Sequence, residues 1–343
     1  MKLEAPPVLE VDPRIEMIAA VEALAVGNPC AHCDKSAYLE RVLAALDRDA
    51  PVFRLFARMT PQDWRNRHPS LIMLDFGAPP ELEITGNADH YARQDSSDAL
   101  SQFLPALREF ASKGFMKFFA KEKRFHASFL AQVRPEFESM DYRTELGRYL
   151  GMPAPHRYHF IISPLYHGGP MHNLLYHRKG GAVDIYSISG HCGLSGGLPV
   201  PSFNTREMIY QAWHEVLHTL IDAMTQAHRR ELEPCSGLYA LMKGRAVNQY
   251  RGPQGWLHIV DEHVIRAMTS RLMAASFGEP AGMAKLQYEK AEGFVLVELV
   301  HQALLEYESS RDRYPAFSDF YPRIVEVFVR ARARGDRRRD APK

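Results

Sequence analysis

The sequence predicts an α+β protein, mostly α, and three observations carry that expectation. Apolar residues recur at helical spacing through most of residues 13–132 and again after residue 204. Between them, segments 157–163, 173–177 and 182–188 are short, β-prone and set apart by Gly168-Gly169-Pro170 and Gly180-Gly181. Residues 214–218 read His-Glu-Val-Leu-His inside one of the helical stretches. The expected organisation is a helical N-terminal region over 1–150, a catalytic region over 151–329 and a basic tail over 330–343.

The elements follow in order. Asp12-Pro13 reads as an N-cap followed by proline at the first helical position, and Ile15, Ile18, Ala19 and Val21 begin an apolar stripe. A second helix starts near Ser36, with Leu39, Val42, Leu43 and Leu46 on one face. Helices over 97–112 and 115–132 follow. Phe103, Leu107 and Phe110 line the first, and Phe115, Phe118, Phe119 and Phe125 crowd the second; aromatics at this spacing belong in a core. The three β-prone segments predict a small antiparallel sheet, and Gly193 to Pro201 reads as a Gly/Pro loop. Asn204 with Glu207 resembles a capping box that opens the next helix. The helical period then runs to about residue 329.

With 343 residues, 46% of them hydrophobic and 24% charged, the chain is globular and can bury a substantial core. Its net charge of +1 argues against a nucleic-acid binder that works through a broad basic surface. The excess is local, since the Arg-rich last fourteen residues carry +5 and the remainder −4. No apolar run is long enough for a membrane span, and the N-terminus has no apolar core of a signal peptide. A cytoplasmic location is expected, or export if a leader is missing from this chain. Four cysteines are too few for a disulfide scaffold of this size.

The chemistry concentrates in His214-Glu215-Val216-Leu217-His218. In a helix, two histidines four residues apart lie about 40° apart and project together. Met208, Ile209, Ala212, Trp213, Val216, Leu217, Leu220 and Ile221 form the apolar face at whose edge they emerge. Neutral imidazoles bind Zn²⁺ and leave positions for water, whose pKa the ion lowers toward about 7. A carboxylate beside that water, here Glu215, can take its proton. Catalytic zinc commonly has a third protein ligand. The predicted helix Trp256–Leu272 carries Asp261-Glu262-His263, and Glu262 is the first choice, with His258, Asp261 and His263 as alternatives. A plain ion pair from Glu262 to Arg266 is the competing role.

Other features are weaker. His156, His159, His167, His172, His177 and His191 could form a second metal site, but scattered strand histidines are ordinarily surface or hydrogen-bonded residues. Cys30-Ala31-His32-Cys33 has redox or zinc spacing, yet it follows no clear strand, so free thiols are expected. Tyr250 is a candidate to hydrogen-bond an oxyanion, with Tyr239 behind it.

Together with Val11-Asp12-Pro13-Arg14-Ile15-Glu16, Glu262 followed by Arg266-Ala267, Tyr307-Glu308 and Arg311-Asp312-Arg313-Tyr314-Pro315-Ala316-Phe317, and then Asp319-Phe320-Tyr321-Pro322, the His-Glu-Val-Leu-His motif makes the chain resemble a bacterial family of predicted HExxH metallopeptidases known as a domain of unknown function. The likeness runs over roughly residues 8–328. It implies a zincin-like fold and a gluzincin-like site, with Zn²⁺ on His214, His218 and Glu262 and with Glu215 as base. The expected activity is therefore zinc-dependent hydrolysis of peptide bonds in a peptide or protein substrate, without nucleic acid or membrane partners. Segment 182–188 is the candidate edge strand for binding an extended peptide. The rival readings are a non-catalytic metal-binding or partner-binding helical protein, and a hydrolase of a non-peptide amide.

Overall fold

The computed structural model describes residues 7–25, 36–64, 68–84, 98–139, 141–152, 156–167, 172–177, 183–242 and 255–339. They divide into two compact units, Met1–Met140 with Pro155–Met208, and Asp141–Ala154 with Ile209–Lys343. The sheet thus groups with the N-terminal helices.

In the first unit, α1 (Pro13–Ala25) starts where Asp12 Oδ1 accepts the Arg14 backbone N–H at 2.7 Å, with proline at the position that needs no donor. Ser36 caps α2 (Ala37–Ala45) by accepting the Leu39 N–H at 3.0 Å. Two short helices that the period did not reveal, α3 (Pro51–Phe56) and α4 (Pro69–Met73), each open with proline. The predicted pair over 97–132 appears as α5 (Asp98–Phe110), a π-helical turn at Ala111–Phe115, α6 (Met116–Lys121) and α7 (Lys123–Ala131), followed by α8 (Arg134–Glu138). Phe103, Leu107, Phe110, Phe115 and Phe118 are buried as expected, and Phe119 and Phe125 partly so. Trp64 sits edge-on to Phe103 in the same core, which also takes Ile161, Leu165, Tyr166 and Ile188 from the sheet.

Among the described residues the sheet has five strands: β1 (Val8–Glu10), β2 (His156–His167), β3 (His172–His177), β4 (Val183–Ser195) and β5 (Leu198–Pro201). It is mixed rather than antiparallel. The path runs β1-β2-β4-β3, with β1–β2 and β2–β4 parallel, β3–β4 antiparallel, and β5 antiparallel on β4. Local turn signals suggested successive hairpins, but β4 inserts between β2 and β3, a long-range pairing that no turn residue encodes. Residues 183–188 therefore pair with β2 on one side and β3 on the other, so this segment is not a free edge. The expected loop at 193–201 is a hairpin: Gly196 and Gly197 take φ of +57° and +78°, and β5 returns along β4.

The second unit is helical among its described residues: α9 (Tyr142–Leu150), α10 (Thr205–Ala227, from Ile209 onward), α11 (Arg229–Leu232), a 3₁₀ turn (Glu233–Leu241), α12 (Trp256–Phe277), α13 (Glu279–Ala291), α14 (Val297–Ser309) and α15 (Phe317–Arg339). Helix α12 is buried on nearly every face. Its polar side chains must therefore find partners inside the protein. Helix α13 can approach it because Gly282 has no side chain: a Cβ there would lie 2.5 Å from Ala274 Cβ and 2.6 Å from Ser270 O. Helix α15 continues to Arg339, so residues 330–339 of the basic tail are helical. Among the described residues no helix is long and apolar enough to cross a membrane.

Candidate metal centre

His214 and His218 stand one turn apart on α10, fixed by the burial of Ala212, Trp213, Val216, Leu217 and Ile221 around them. Glu262 reaches them from α12. One ligand atom from each of the three lies within 4.8 Å of the others, and all three residues are buried. The two Nε2 atoms are 3.3 Å apart, His218 Nε2 is 3.4 Å from Glu262 Oε1, and His214 Nε2 is 3.7 Å from Glu262 Oε2. Ligands about 2.0–2.2 Å from one tetrahedral ion would be separated by about 3.3–3.6 Å, so this donor set fits a metal ion.

The electrostatics follow from the same packing. Burial pushes His214 well below the usual imidazole range, with Arg266, His218 and Lys285 adding to the shift and Glu262 opposing it. Burial also opposes charge on His218, but hydrogen bonds to Asp222 and Glu262 and the fields of Glu262 and Glu215 raise it. Burial disfavours the Glu262 anion, yet His218, His214 and Arg266 hold its carboxyl well below the ordinary range. Without a cation the two facing nitrogens must share a proton; with one, both lone pairs can donate. His218 Nδ1 also meets Asp222 Oδ1 at 3.2 Å, the outer carboxylate contact that fixes a ligating imidazole.

The comparisons with known proteins agree with part of the expected likeness. Residues 61–327 match the family described as Domain of unknown function (DUF4932). The chain belongs to this family. No curated protein and no solved structure matches it. The DUF4932 match contains His214, His218 and Glu262 and begins after the Val11–Glu16 segment.

Around the three ligand candidates of this chain, the other predicted residues divide. Glu215 is half-buried on α10, and its field acts on His218. His258 is 47% exposed at its side chain, lies 3.7 Å from Glu262 Oε1 and stacks on His218. Asp261 turns to Thr225, and burial raises its carboxyl to about 7 against that hydrogen bond. His263 turns away: its Nδ1 lies 2.7 Å from the Ile259 carbonyl, and its ring packs on Phe294 and Phe328. Tyr239 is half-buried in the 3₁₀ turn. Tyr250, Cys30 and Cys33 lie outside the described residues, as do the side chains of His156, His172 and His177.

Cys192 and Cys235 are thiols that each donate to a backbone carbonyl, Val200 and Glu231 respectively. His159 stands between Glu10 and Asp184, while His167 and His191 face each other edge-on. No second group of three metal-ligand side chains converges among the described residues. Sequence reasoning missed Asp222, although its place four residues after His218 is a readable signal. It also missed Glu289, which takes the other side of Arg266 and has no local sequence signal.

Proposed function

We propose that the chain is a zinc-dependent hydrolase, a gluzincin-like peptidase with a zincin-like catalytic region. The observation that carries the reading is the convergence of His214, His218 and Glu262 from two helices onto one buried point. Zn²⁺ in such a site supplies Lewis acidity, polarising a carbonyl and acidifying water. His214 and His218 supply nitrogen donors to the ion, and Asp222 keeps the His218 ring in the orientation that presents Nε2. Glu262 supplies the anionic donor. Glu215 adjoins His214 in the chain without belonging to the converging set. Its role is to accept a proton from the attacking water and deliver it to the leaving amine. Tyr250 is the candidate for hydrogen-bonding the developing oxyanion.

The burial of all three ligands also suits a closed, non-catalytic metal site, which is the second reading. Metal analysis with peptide-library hydrolysis tests both. One zinc per wild-type chain, lost in a His214→Ala, His218→Ala double variant, with peptide cleavage by the wild type, supports the hydrolase. Full zinc retained in the double variant would sink the site assignment. One bound zinc without cleavage, and without a solvent-accessible coordination position, favours the closed site.

A further inference from the structure

The two oxygens of Glu262 are not equivalent. Oε2 accepts Nε–H of Arg266 at 2.8 Å and lies 3.7 Å from His214 Nε2, whereas Oε1 lies 3.4 Å from His218 and 3.7 Å from His258. Arg266 is itself held from two further sides. Its Nη1 donates to Oε2 of Glu289, and its guanidinium lies 4.2 Å over the Phe294 ring. Glu289 is fully buried and takes two more donors, Lys285 Nζ at 2.8 Å and the Tyr210 hydroxyl at 2.9 Å. Tyr210 lies one turn before His214 on α10, with their rings 5.9 Å apart. One buried anion on α13 therefore ties together both helices that carry the ligand candidates.

A carboxylate can hold a cation through one oxygen or through both. A charged N–H directed at Oε2 occupies one of its two lone pairs and draws electron density from the oxygen, which disfavours chelation. Two anions, Glu262 and Glu289, face two cations, Arg266 and Lys285. The guanidinium is therefore neutralised on its far side and need not swing toward other acceptors. We propose that Arg266, anchored by Glu289, is the positioning residue that confines Glu262 to ligation through Oε1 and so keeps a coordination position open at the His214–His218–Glu262 centre. This deepens the hydrolase reading and rests on it, because an open position distinguishes catalytic from structural zinc.

The test reads coordination rather than turnover. The full-length chain is loaded with Zn²⁺ for X-ray absorption and with Co²⁺ for visible absorption, which is more intense in four-coordinate than in higher-coordinate sites. Arg266→Met should gain one metal–oxygen contact and lose Co²⁺ band intensity, as Glu262 becomes bidentate. Arg266→Lys, which keeps one donor, should retain the wild-type count. Glu289→Gln, which leaves Arg266 in place but loosens its anchor, should shift the spectra in the same direction as Arg266→Met and by less. A merely structural role would lower the unfolding temperature without moving these spectra.

If Arg266→Met and Glu289→Gln are folded, metal-loaded and spectrally identical to wild type, the proposal is overturned. Should Arg266→Met fail to fold or to hold metal, Glu289→Gln decides alone: a wild-type spectrum overturns the proposal and a shifted one supports it. A wild-type chain that binds neither ion overturns the hydrolase reading and this inference together. A wild type that binds both, with unmoved variant spectra, overturns only the inference.

Discussion

Glu16 on α1 and Glu262 on α12 are both buried glutamates, one in each unit, and their carboxyls behave in opposite ways. Glu16 has neutral donors: the Ser163 hydroxyl at 2.7 Å from Oε2, and the Leu165 backbone N–H. Its Oε1 has no hydrogen-bond partner among the described residues. Burial raises this carboxyl to about 8, the two hydrogen bonds pull it back, and the negative charge of Asp12 raises it further. Glu262 suffers the same burial, but His218, His214 and Arg266 hold it well below the ordinary range. Burial by itself therefore produces a neutral acid. An anion persists in the interior only where cations or strong hydrogen-bond donors surround it, and a carboxylate must be an anion to ligate a metal.

The largest expected effect separates the two regions by activity. Glu215→Gln keeps the shape of the side chain but cannot take a proton. It should retain one equivalent of zinc and lose about 10²–10⁴-fold in peptide hydrolysis. Glu16→Gln, assayed at a pH where both chains are folded, should cleave at the wild-type rate. A Glu215→Gln chain as fast as wild type would remove Glu215 from the proposed mechanism. A Glu16→Gln chain as slow as Glu215→Gln would dissolve the distinction between the two regions.

Next in size is the cost of taking one of its two carboxylates from a buried cation, since Arg266 keeps Glu289. Glu262→Ala removes the partner of Arg266 Nε and of His218. Removing the sole partner of a buried charge costs about 3–5 kcal/mol, and with Glu289 still on Arg266 the loss should stay at or below the lower end of that range. Denaturant unfolding in excess chelator should show that loss even without metal, together with loss of zinc binding when chelator is absent. A Glu262→Ala chain as stable as wild type would mean that the Arg266 contact contributes little, and that the anion at 262 is not held as its surroundings suggest.

The contrast also marks what the sequence can disclose. Ser36, Asn204 and the Asp12-Pro13 pair were readable because a cap is a contact between neighbours in the chain. Asn204 Oδ1 accepts the Glu207 N–H at 3.2 Å, half of the predicted box. The ligand candidates were readable because four-residue spacing fixes the direction of His214 and His218, and Glu262 lies one turn from Arg266. The sequence posed ligation and the Arg266 ion pair as alternatives. In the structure the two oxygens allow both, since Arg266 takes Oε2. Glu289 was not readable, because its link to Arg266 depends on Gly282 admitting α13 against α12. Nor was the sheet order, which is set by pairing over long separations and includes a three-residue strand, β1, too short to show a period. Glu16 adjoins an apolar stripe, and the pattern alone does not tell that every side of α1 near it is covered.

A third test uses the pH dependence that the comparison implies. The folded carboxyl of Glu16 sits at about 8, above the ordinary 4.5, so the folded state keeps a proton that the unfolded chain releases. Its contribution to stability is complete below about 4.5, falls as pH rises from there to about 8, and is absent above. The limiting slope for one proton is about 1.4 kcal/mol per pH unit. Glu16→Gln cannot ionise, so its stability relative to wild type should rise steadily between pH 5 and 8 and level off beyond. Unfolding curves that stay parallel across that range would show that Glu16 is charged at neutral pH, and its likeness to Glu262 would then be closer than the structure indicates.

The smallest effect concerns one hydroxyl. Ser163 Oγ donates to Glu16 Oε2 and accepts the backbone N–H groups of Leu165 at 3.2 Å and Tyr166 at 3.3 Å. Ser163→Ala deletes these contacts without adding bulk. Against a neutral carboxyl the lost hydrogen bond is worth about 0.5–1.5 kcal/mol, and against a carboxylate about 1.5–3 kcal/mol. The Ser163→Ala penalty should therefore be near 1 kcal/mol at pH 6 and larger above pH 8, once Glu16 has ionised in the folded state. The same substitution raises the Glu16 carboxyl further, because it removes a donor that favours the anion. The pH at which the penalty grows should then lie at or above about 8, measured by urea unfolding of both chains in matched buffers. A penalty that is already large at pH 6 and flat with pH would identify a charged Glu16. In that case neutral donors alone would suffice to keep a buried glutamate ionised in this protein, and the cations around Glu262 would no longer be what sets it apart.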